Sequence, residues 1–291
     1  MTITSDIAIV GGGLSGALMA LSCSHYGFSV CVIDAGTAAI QKTPNFDGRS
    51  YAMAHSSVKM LITLGVWPDI KKTAQPILDI KISDGAIGDY PSPFMLHFDH
   101  HDLEDGPLGY MLEDRILRPS LQKQLENNDF VTYLDQSRVL SHKISSAGVN
   151  LRVKGKAEAV RAKLVISADG RNSNFAKEAG ISYVGWRYLQ TSQVCALEHE
   201  RSHDAIAYQH FMPSGPLAIL PLRGNRCSIV WTETTMNSSF INKLDDDAYL
   251  EILRPRFGDF LGEIKLVGKR FSYPLDICIA KKFTVDRVAL I

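Results

Sequence analysis

The sequence has no stretch of about 18 to 20 uninterrupted apolar residues, so no transmembrane helix is expected. It has no prevailing charge: Lys plus Arg and Asp plus Glu both total 31. Nothing in that balance suggests the basic surface of a nucleic-acid binder or an acidic interaction tail. Cysteines are few, five in all, an odd number with no CxxC pair. Most of Cys23, Cys31, Cys195, Cys227 and Cys278 sit among apolar residues, which suits buried free thiols in a reducing, cytoplasmic compartment. The opening "MTITSD" holds an acid and no Lys or Arg, so it lacks the basic start of a secretory signal. Internal repeats and low-complexity tracts are absent. What remains is an ordinary globular composition, 45% hydrophobic and 21% charged, long enough for one large domain or two smaller ones.

Against that plain background, the glycines of "IAIVGGGLSGALMAL" stand out, because glycine weakens both helices and strands. The segment divides into a β-branched strand, "DIAIV", a turn, "GGGLSG", and a helix. The helix carries Ala17, Leu18, Leu21 and Tyr26 at helical spacing and closes at Gly27. "FSVCVID" then reads as a second buried strand, completing a βαβ unit. Gly11, Gly13 and Gly16 satisfy G-x-G-x-x-G. The first permits a tight turn, the second lets main chain approach a pyrophosphate, and the third lets helix pack on strand. The diphosphate would rest on the helix N-terminus, where unpaired N–H groups favour negative charge. Asp34 closes the second strand, placed to accept hydrogen bonds from ribose hydroxyls. An acid there disfavours a 2′-phosphate and fits either NAD or FAD.

Later signals are weaker singly. Arg49 lies in a glycine-flanked loop ahead of a helix that Ser56 or Ser57 could cap, and could reach a pyrophosphate. "EDRILRPSLQKQLEN" is an amphipathic helix with Ile116, Leu117, Leu121 and Leu125 inward. Arg115 in its first turn opposes the dipole, so a neighbouring anion would rationalise it. "AKLVISADGRNSNF" is a buried strand, an Asp-Gly turn and a helix, which puts Asp169 at the carboxyl end of a strand, where ligands bind in open α/β sheets.

Two further patterns suggest metal chemistry. "HERSH" (199–203) matches H-E-x-x-H, but its surroundings alternate like a strand, and "AIAYQHF" reads as the return strand of a hairpin. Two strand histidines four residues apart would lie roughly 13 Å from each other. "HFDHHDLED" (97–105) crowds His97, Asp99, His100, His101 and Asp102, and is expected to be a solvated loop. No metal site and no general base is assigned.

Taken in order, "GGGLSG" with Asp34, "DGRSYAM", "EDRILRPSL", "SADGRNS", "PSGPLAILPL", "NRCSIVWT" and "FTVDRVALI" resemble the class A flavoprotein aromatic hydroxylases, and among them the ubiquinone-biosynthesis monooxygenases. The likeness spans the whole chain. It implies the p-hydroxybenzoate hydroxylase-like α/β fold, a Rossmann-like FAD-binding domain interleaved with a mostly antiparallel sheet domain. The FAD-binding domain is expected over 1–72, 108–181 and 281–291, the substrate domain over 73–107 and 182–280. The resemblance implies FAD held by Gly11, Gly13, Leu14, Ser15, Gly16, Asp34, Ala35, Arg49, Arg115, Val139, Asp169 and Gly170. NAD(P)H would be the reductant and O2 the oxidant, and the substrate a hydrophobic, polyprenylated phenol met near segment 213–222. A prenyl tail implies peripheral contact with the inner membrane or membership of a biosynthetic complex; oligomerisation is left open, and no nucleic-acid partner is expected. The alternatives are a flavoprotein of this fold acting on a small soluble aromatic, and a non-catalytic scaffold. The sequence departs from the family at Ala176, where many relatives carry arginine. It also stops at Ile291, ahead of a Gly-Asp motif that the family places beside the flavin. From that stop a truncated, inactive form is expected, binding FAD about tenfold or more weakly than a longer one, roughly 1.4 kcal/mol.

Overall fold

The structure is a computed structural model that describes residues 2–37, 48–88, 95–103, 106–155 and 159–291. Residues 45–47 of the loop before Arg49, and Glu104 and Asp105 of the histidine-rich segment, lie outside the described residues.

The first third of the chain forms β1 (Ile3–Val10), α1 (Leu14–His25), β2 (Val30–Ile33), β3 (Ser50–Ala54), α2 (His55–Thr63), α3 (Trp67–Ile70), β4 (Gln75–Ile77), β5 (Asp79–Asp84) and β6 (Met95–Asp99). The middle forms β7 (Gly109–Glu113), α4 (Asp114–Glu126), β8 (Val131–Leu134), β9 (Val139–Ser145), β10 (Gly148–Val153), β11 (Val160–Ser167), α5 (Asn174–Glu178) and β12 (Tyr183–His199). The rest forms β13 (Ile206–Met212), β14 (Gly215–Leu222), β15 (Arg226–Thr234), α6 (Thr235–Ile241), α7 (Asp246–Phe257), β16 (Ile264–Ala280), β17 (Thr284–Val285) and β18 (Val288–Leu290).

These strands make three sheets. The first runs β17-β18-β11-β1-β2-β8, with β10 and β9 continuing from β11. Its central pairings, β1 with β2 and β11, β2 with β8, and β11 with β18, are all parallel. Such strands are buried on both faces and therefore read as unbroken apolar runs; every residue of β2 is buried. One face packs α1 and α4 through Leu21, Leu117, Leu121 and Leu125; the other packs Val10, Ile33, Leu151 and Phe175. The second sheet, β16-β12-β15-β14-β13-β5-β6, is antiparallel apart from the β13–β5 pair. Its core sets Leu217, Ile229 and Trp231 against Tyr249, Leu253 and Phe257 of α7. A small sheet, β3-β7-β4, lies between them, and Ile77 and Met111 from it pack with Ala196, Ala207 and Leu222 of the second sheet. Among the described residues no helix is long and apolar enough to cross a membrane.

Several local expectations are corrected. Helix α2 begins at His55 with Ala54 as its uncapped N-cap, ahead of Ser56 and Ser57. Tyr26 lies past the end of α1 and is 80% exposed, because the chain reverses at Gly27, φ +82°. Pro255, which the sequence alone would set as the end of a helix over 245–257, falls in the last turn of α7, where only one ladder bond is lost, and the helix runs to Phe257 and stops at Gly258, φ +82°. Asp245 caps its start, Oδ1 accepting from the Ala248 N–H. The expected hairpin of β12 with β13 does not form: β12 pairs with β15 and β16, and β13 with β14 and β5. Residues 95–99 form a strand rather than a loop.

Three of the five thiols, Cys31, Cys195 and Cys227, are buried. Burial pushes the pKa of Cys31 up to about 12 and that of Cys195 up to about 11.

Asp6 ties three strands at the amino edge of the parallel sheet. Its Oδ2 accepts from the Ser29 N–H at 3.0 Å and the Ser29 hydroxyl at 2.7 Å, and its Oδ1 lies 2.8 Å from Lys163 Nζ. Lys163 first, then Ser29, holds this carboxyl well below its ordinary value of 3.8. A depressed carboxyl stabilises the fold above its unfolded-state pKa, and the contribution fades as pH falls through the folded value. Asp6→Asn is therefore expected to lower the urea midpoint at neutral pH, and the gap to wild type to close as acid is added. A gap that persists in acid would show that the charge is not what Asp6 contributes.

Candidate functional site

The parallel strands end level. Register aligns Val10 with Ile33 and with Ser167, Ile33 with Leu134, and Ser167 with Leu290. The chain leaves β1 to one side for β2 and later enters β11 on the other, so a crevice opens over β1 at the carboxyl edge, where open α/β sheets bind ligands. A cavity of about 630 Å³ lies there.

The glycine turn forms its floor. The Gly11 N–H donates to the Ile33 carbonyl at 2.8 Å, and Gly11 has φ +104°. A Cβ at Gly11 would lie 2.4 Å from the Ala168 oxygen, and one at Gly16 1.9 Å from the Gly11 oxygen. Strand, turn and helix are thus in main-chain contact. Gly13 differs: it is the N-cap of α1, has φ −65°, and a Cβ there would meet nothing within 4 Å. That open space is part of the cavity. No side chain caps α1 and its first turn holds no acid, so the orphan N–H groups of the first turn, which begins at Leu14 and Ser15, are left for another acceptor.

Carboxylates stand on either side of the turn. Asp34 Oδ2 accepts from the Tyr133 hydroxyl at 2.8 Å, and its Oδ1 from the Gly36 N–H at 3.2 Å. Across the crevice, Asp169 Oδ1 accepts from the Ser167 hydroxyl at 2.7 Å, which also lies 3.0 Å from the Ser173 hydroxyl that caps α5. Gly170 follows with φ +86°.

Of the residues singled out in the sequence, Gly11, Gly13, Asp34, Ala35, Val139, Asp169 and Gly170 line this one cavity, with Leu14, Ser15 and Gly16 in the first turn of α1 below it. Arg138, Asn172 and Asn174 also line it, with no motif in the sequence to mark them. "DQSRV" looks like any polar turn; only the fold brings it here, where the Ser137 N–H donates to the Asp34 carbonyl at 2.7 Å and the Gln136 N–H to the Gly36 carbonyl at 2.8 Å.

Arg49 and Arg115 are not among the lining residues. Arg49 lies 3.0 Å from the Asp114 carboxylate, which also accepts from Arg118 and from the Tyr51 hydroxyl at 2.7 Å. Burial first, then that bond to Asp114, pushes Tyr51 up to about 12. The anion beside Arg115 is Glu113, whose other oxygen accepts from Arg226 of β15 at 2.9 Å. These groups face a second cavity, of about 330 Å³, with Thr73, Arg223 and Gly224.

The H-E-x-x-H pattern does not form a metal cage. Asp204 and Ala205 adopt positive φ, 49° and 59°, and fold His203 back until its ring lies 5.5 Å from that of His199, not the 13 Å expected of strands. His203 is engaged at both nitrogens, with the Leu222 carbonyl and the Ala205 N–H. Glu200 turns to the Glu263 N–H.

The donor set suits an adenine dinucleotide: uncapped amides with open space above them, the oriented Asp34 carboxylate beside them, and, among the described residues, no side chain filling the cradle. Because Gly13 has an ordinary φ and free space, Gly13→Val is expected to fold with an unchanged melting temperature. It should weaken FAD binding by about tenfold or more, roughly 1.4 kcal/mol, in a flavin titration. Unaltered affinity would place the diphosphate elsewhere.

Comparison with known proteins agrees with this geometry. The FAD binding domain family matches residues 4–291. The chain is 39% identical over 287 residues to the ubiquinone hydroxylase UbiL of Rhodospirillum rubrum, covering 99% of this chain and 65% of that protein. To the 3-demethoxyubiquinol 3-hydroxylase of Escherichia coli it is 33% identical over 232 residues, 79% of this chain and 58% of the relative. Similar solved structures include the p-nitrophenol 4-monooxygenase PnpA from Pseudomonas putida, at TM-score 0.75 and 19% identity over 100% of this chain and 72% of that one. Aklavinone-11 hydroxylase in complex with FAD and aklavinone matches at TM-score 0.71 and 19% identity, over 98% of this chain and 56% of that one. At such identities the structures speak for the fold, which is the p-hydroxybenzoate hydroxylase-like one. The chain spans 65% of the length of UbiL, and it belongs to the FAD binding domain family.

Proposed function

We propose that this chain carries the FAD-binding and ring-binding parts of a monooxygenase that hydroxylates the aromatic ring of a prenylated phenol in ubiquinone biosynthesis, using NAD(P)H and O2. The observation that carries the reading is the level carboxyl edge of β1, β2 and β11, where uncapped amides, Asp34 and Asp169 converge on one cavity. The substrate class rests on the relatives named for ubiquinone-type rings. FAD, when bound, supplies oxygen activation and accepts reducing equivalents; the chain's work is to bind, orient and exclude water. In this reading Gly11, Gly13, Leu14, Ser15 and Gly16 hold the diphosphate, Asp34 and Ala35 the ribose side, and Val139, Asp169 and Gly170 the remaining walls. Arg49, just before β3, and Arg115, in the first turn of α4, are paired with Asp114 and Glu113 outside this cavity, and only the family resemblance assigns them to the cofactor.

The second sheet offers a surface for the ring. Register sets Phe271, Val194, Val230 and Ala218 side by side across four strands, all half-buried. This row lies on the face opposite Leu217, Ile229 and Trp231, which pack against α7. Phe271 touches Gly48, next to Arg49, so the row faces the loop on the cofactor side. An apolar row there suits a hydrophobic phenol and removes water from around it. No side chain is assigned as a general base.

The direct test incubates the full-length protein with FAD, NAD(P)H, O2 and a prenylated phenol, and looks by mass spectrometry for gain of one oxygen. Turnover of a soluble phenol alone would favour the soluble-aromatic alternative, and no turnover with bound flavin the scaffold. Ala218→Phe, which fills the apolar row, is expected to raise KM for the prenylated phenol severalfold while flavin affinity stays unchanged. An unaltered KM would remove this row from the ring site.

A further inference from the structure

The outer pair of strands in the second sheet holds an arrangement that the FAD reading does not use. β5 and β6 pair antiparallel, and their register sets Asp79 directly opposite Asp99. Two carboxylates in directly opposed positions repel. Three histidines within five residues surround them. His97 Nε2 lies 2.8 Å from Asp79 Oδ1, His101 Nδ1 lies 2.7 Å and His100 Nδ1 3.3 Å from Asp99 Oδ1. Asp79, His97 and Asp99 present ligand atoms all within 4.8 Å of one another, and so do Asp99, His100 and His101. Asp99 is common to both groups.

The scaffold under these groups is ordered. The His101 N–H donates to Asp99 Oδ1 at 2.8 Å, capping a short 3-10 turn over His100–Asp102. The His100 N–H donates to the Leu78 carbonyl at 3.0 Å, which binds the turn back to the start of β5. Main chain thus fixes the turn that carries His100 and His101 against the start of β5 before any ligand arrives. Imidazole with carboxylate is a donor set for zinc, nickel, cobalt or copper, whereas magnesium and calcium take oxygen ligands. A cation bridging Asp79 and Asp99 would also turn their repulsion into attraction.

We propose that Asp79, His97 and Asp99, closed by His101, bind one divalent transition-metal ion at the outer edge of the second sheet. The site is separate from the dinucleotide cavity, none of whose lining residues it shares. Its effect would be to fasten β5, β6 and the 3-10 turn together.

The test is a Zn2+ titration of this 291-residue chain by calorimetry, repeated with Cu2+ under electron paramagnetic resonance. One equivalent of Zn2+ is expected to bind, the melting temperature to rise with added Zn2+, and the Cu2+ spectrum to show nitrogen hyperfine structure. The double variant H97A/H101A, checked by circular dichroism for an intact fold, should lose affinity about tenfold or more, and D99N likewise. D102N, outside both groups, should bind as wild type does. Absence of saturable binding overturns the proposal. So does equal affinity in H97A/H101A, or a loss seen only on replacing the exposed thiol in Cys278→Ser. Should H97A/H101A fail to fold, D99N compared with D102N decides the matter.

Discussion

The main-chain contact between Gly16 and the Gly11 carbonyl sets the geometry of everything at the carboxyl edge of the parallel sheet. Because neither residue has a side chain, α1 can start directly over the end of β1. Its orphan amides then point into the crevice rather than away from it. Gly11 must also turn with positive φ against the Ala168 main chain, which fixes the distance between β1 and the Asp169 turn. Asp34 and Asp169 are each oriented by a hydroxyl donor, Tyr133 or Ser167, and none of these four side chains comes from the turn itself. The cradle is therefore a property of four strands ending together, with the glycines supplying only the close approach.

The second sheet follows a different logic. Its strands alternate, placing Trp231 and Leu217 against α7 and leaving Val230 and Ala218 on the opposite face. A sheet with one face packed on helices and the other half-buried is suited to hold an apolar ligand against something else. Here that something is the small sheet and the loop at Gly48, where Phe271 makes contact.

How much of this could be read from the residues depends on the range of the interactions. The βαβ unit was legible because its signals are local: an apolar strand, glycines at fixed spacing, a helical period, then an acid. The amphipathic pattern of α4 was legible for the same reason, with Leu117, Leu121 and Leu125 buried as the period requires. Pairing of β12 with β15 and β16 was not legible, since nothing in one sequence says which of several alternating runs lie side by side. The small sheet is illegible on the same grounds: β3, β4 and β7 are short and come from separated segments. The fold-back of His203 was hidden because positive φ at Asp204 and Ala205 leaves no glycine to announce it. Arg138 reaches the cavity only because the β8–β9 turn docks on the Asp34 loop. The anion that rationalises Arg115 stood two residues before it, in Glu113, but its second partner, Arg226, comes from the far sheet.

That last bridge bears on how the molecule can breathe. Glu113 is nearly enclosed and joins a guanidinium on each side, one on α4 and one on β15. Separating the two halves as rigid shells would take Arg226 from Glu113 and leave that carboxylate with Arg115 alone. Ile77 and Met111 against Leu222 add an apolar seam at the same boundary. The boundary between the halves is thus held by a charge pair and an apolar seam side by side, so a rigid-body opening there has to break both together, unlike a hinge that turns on a single loop.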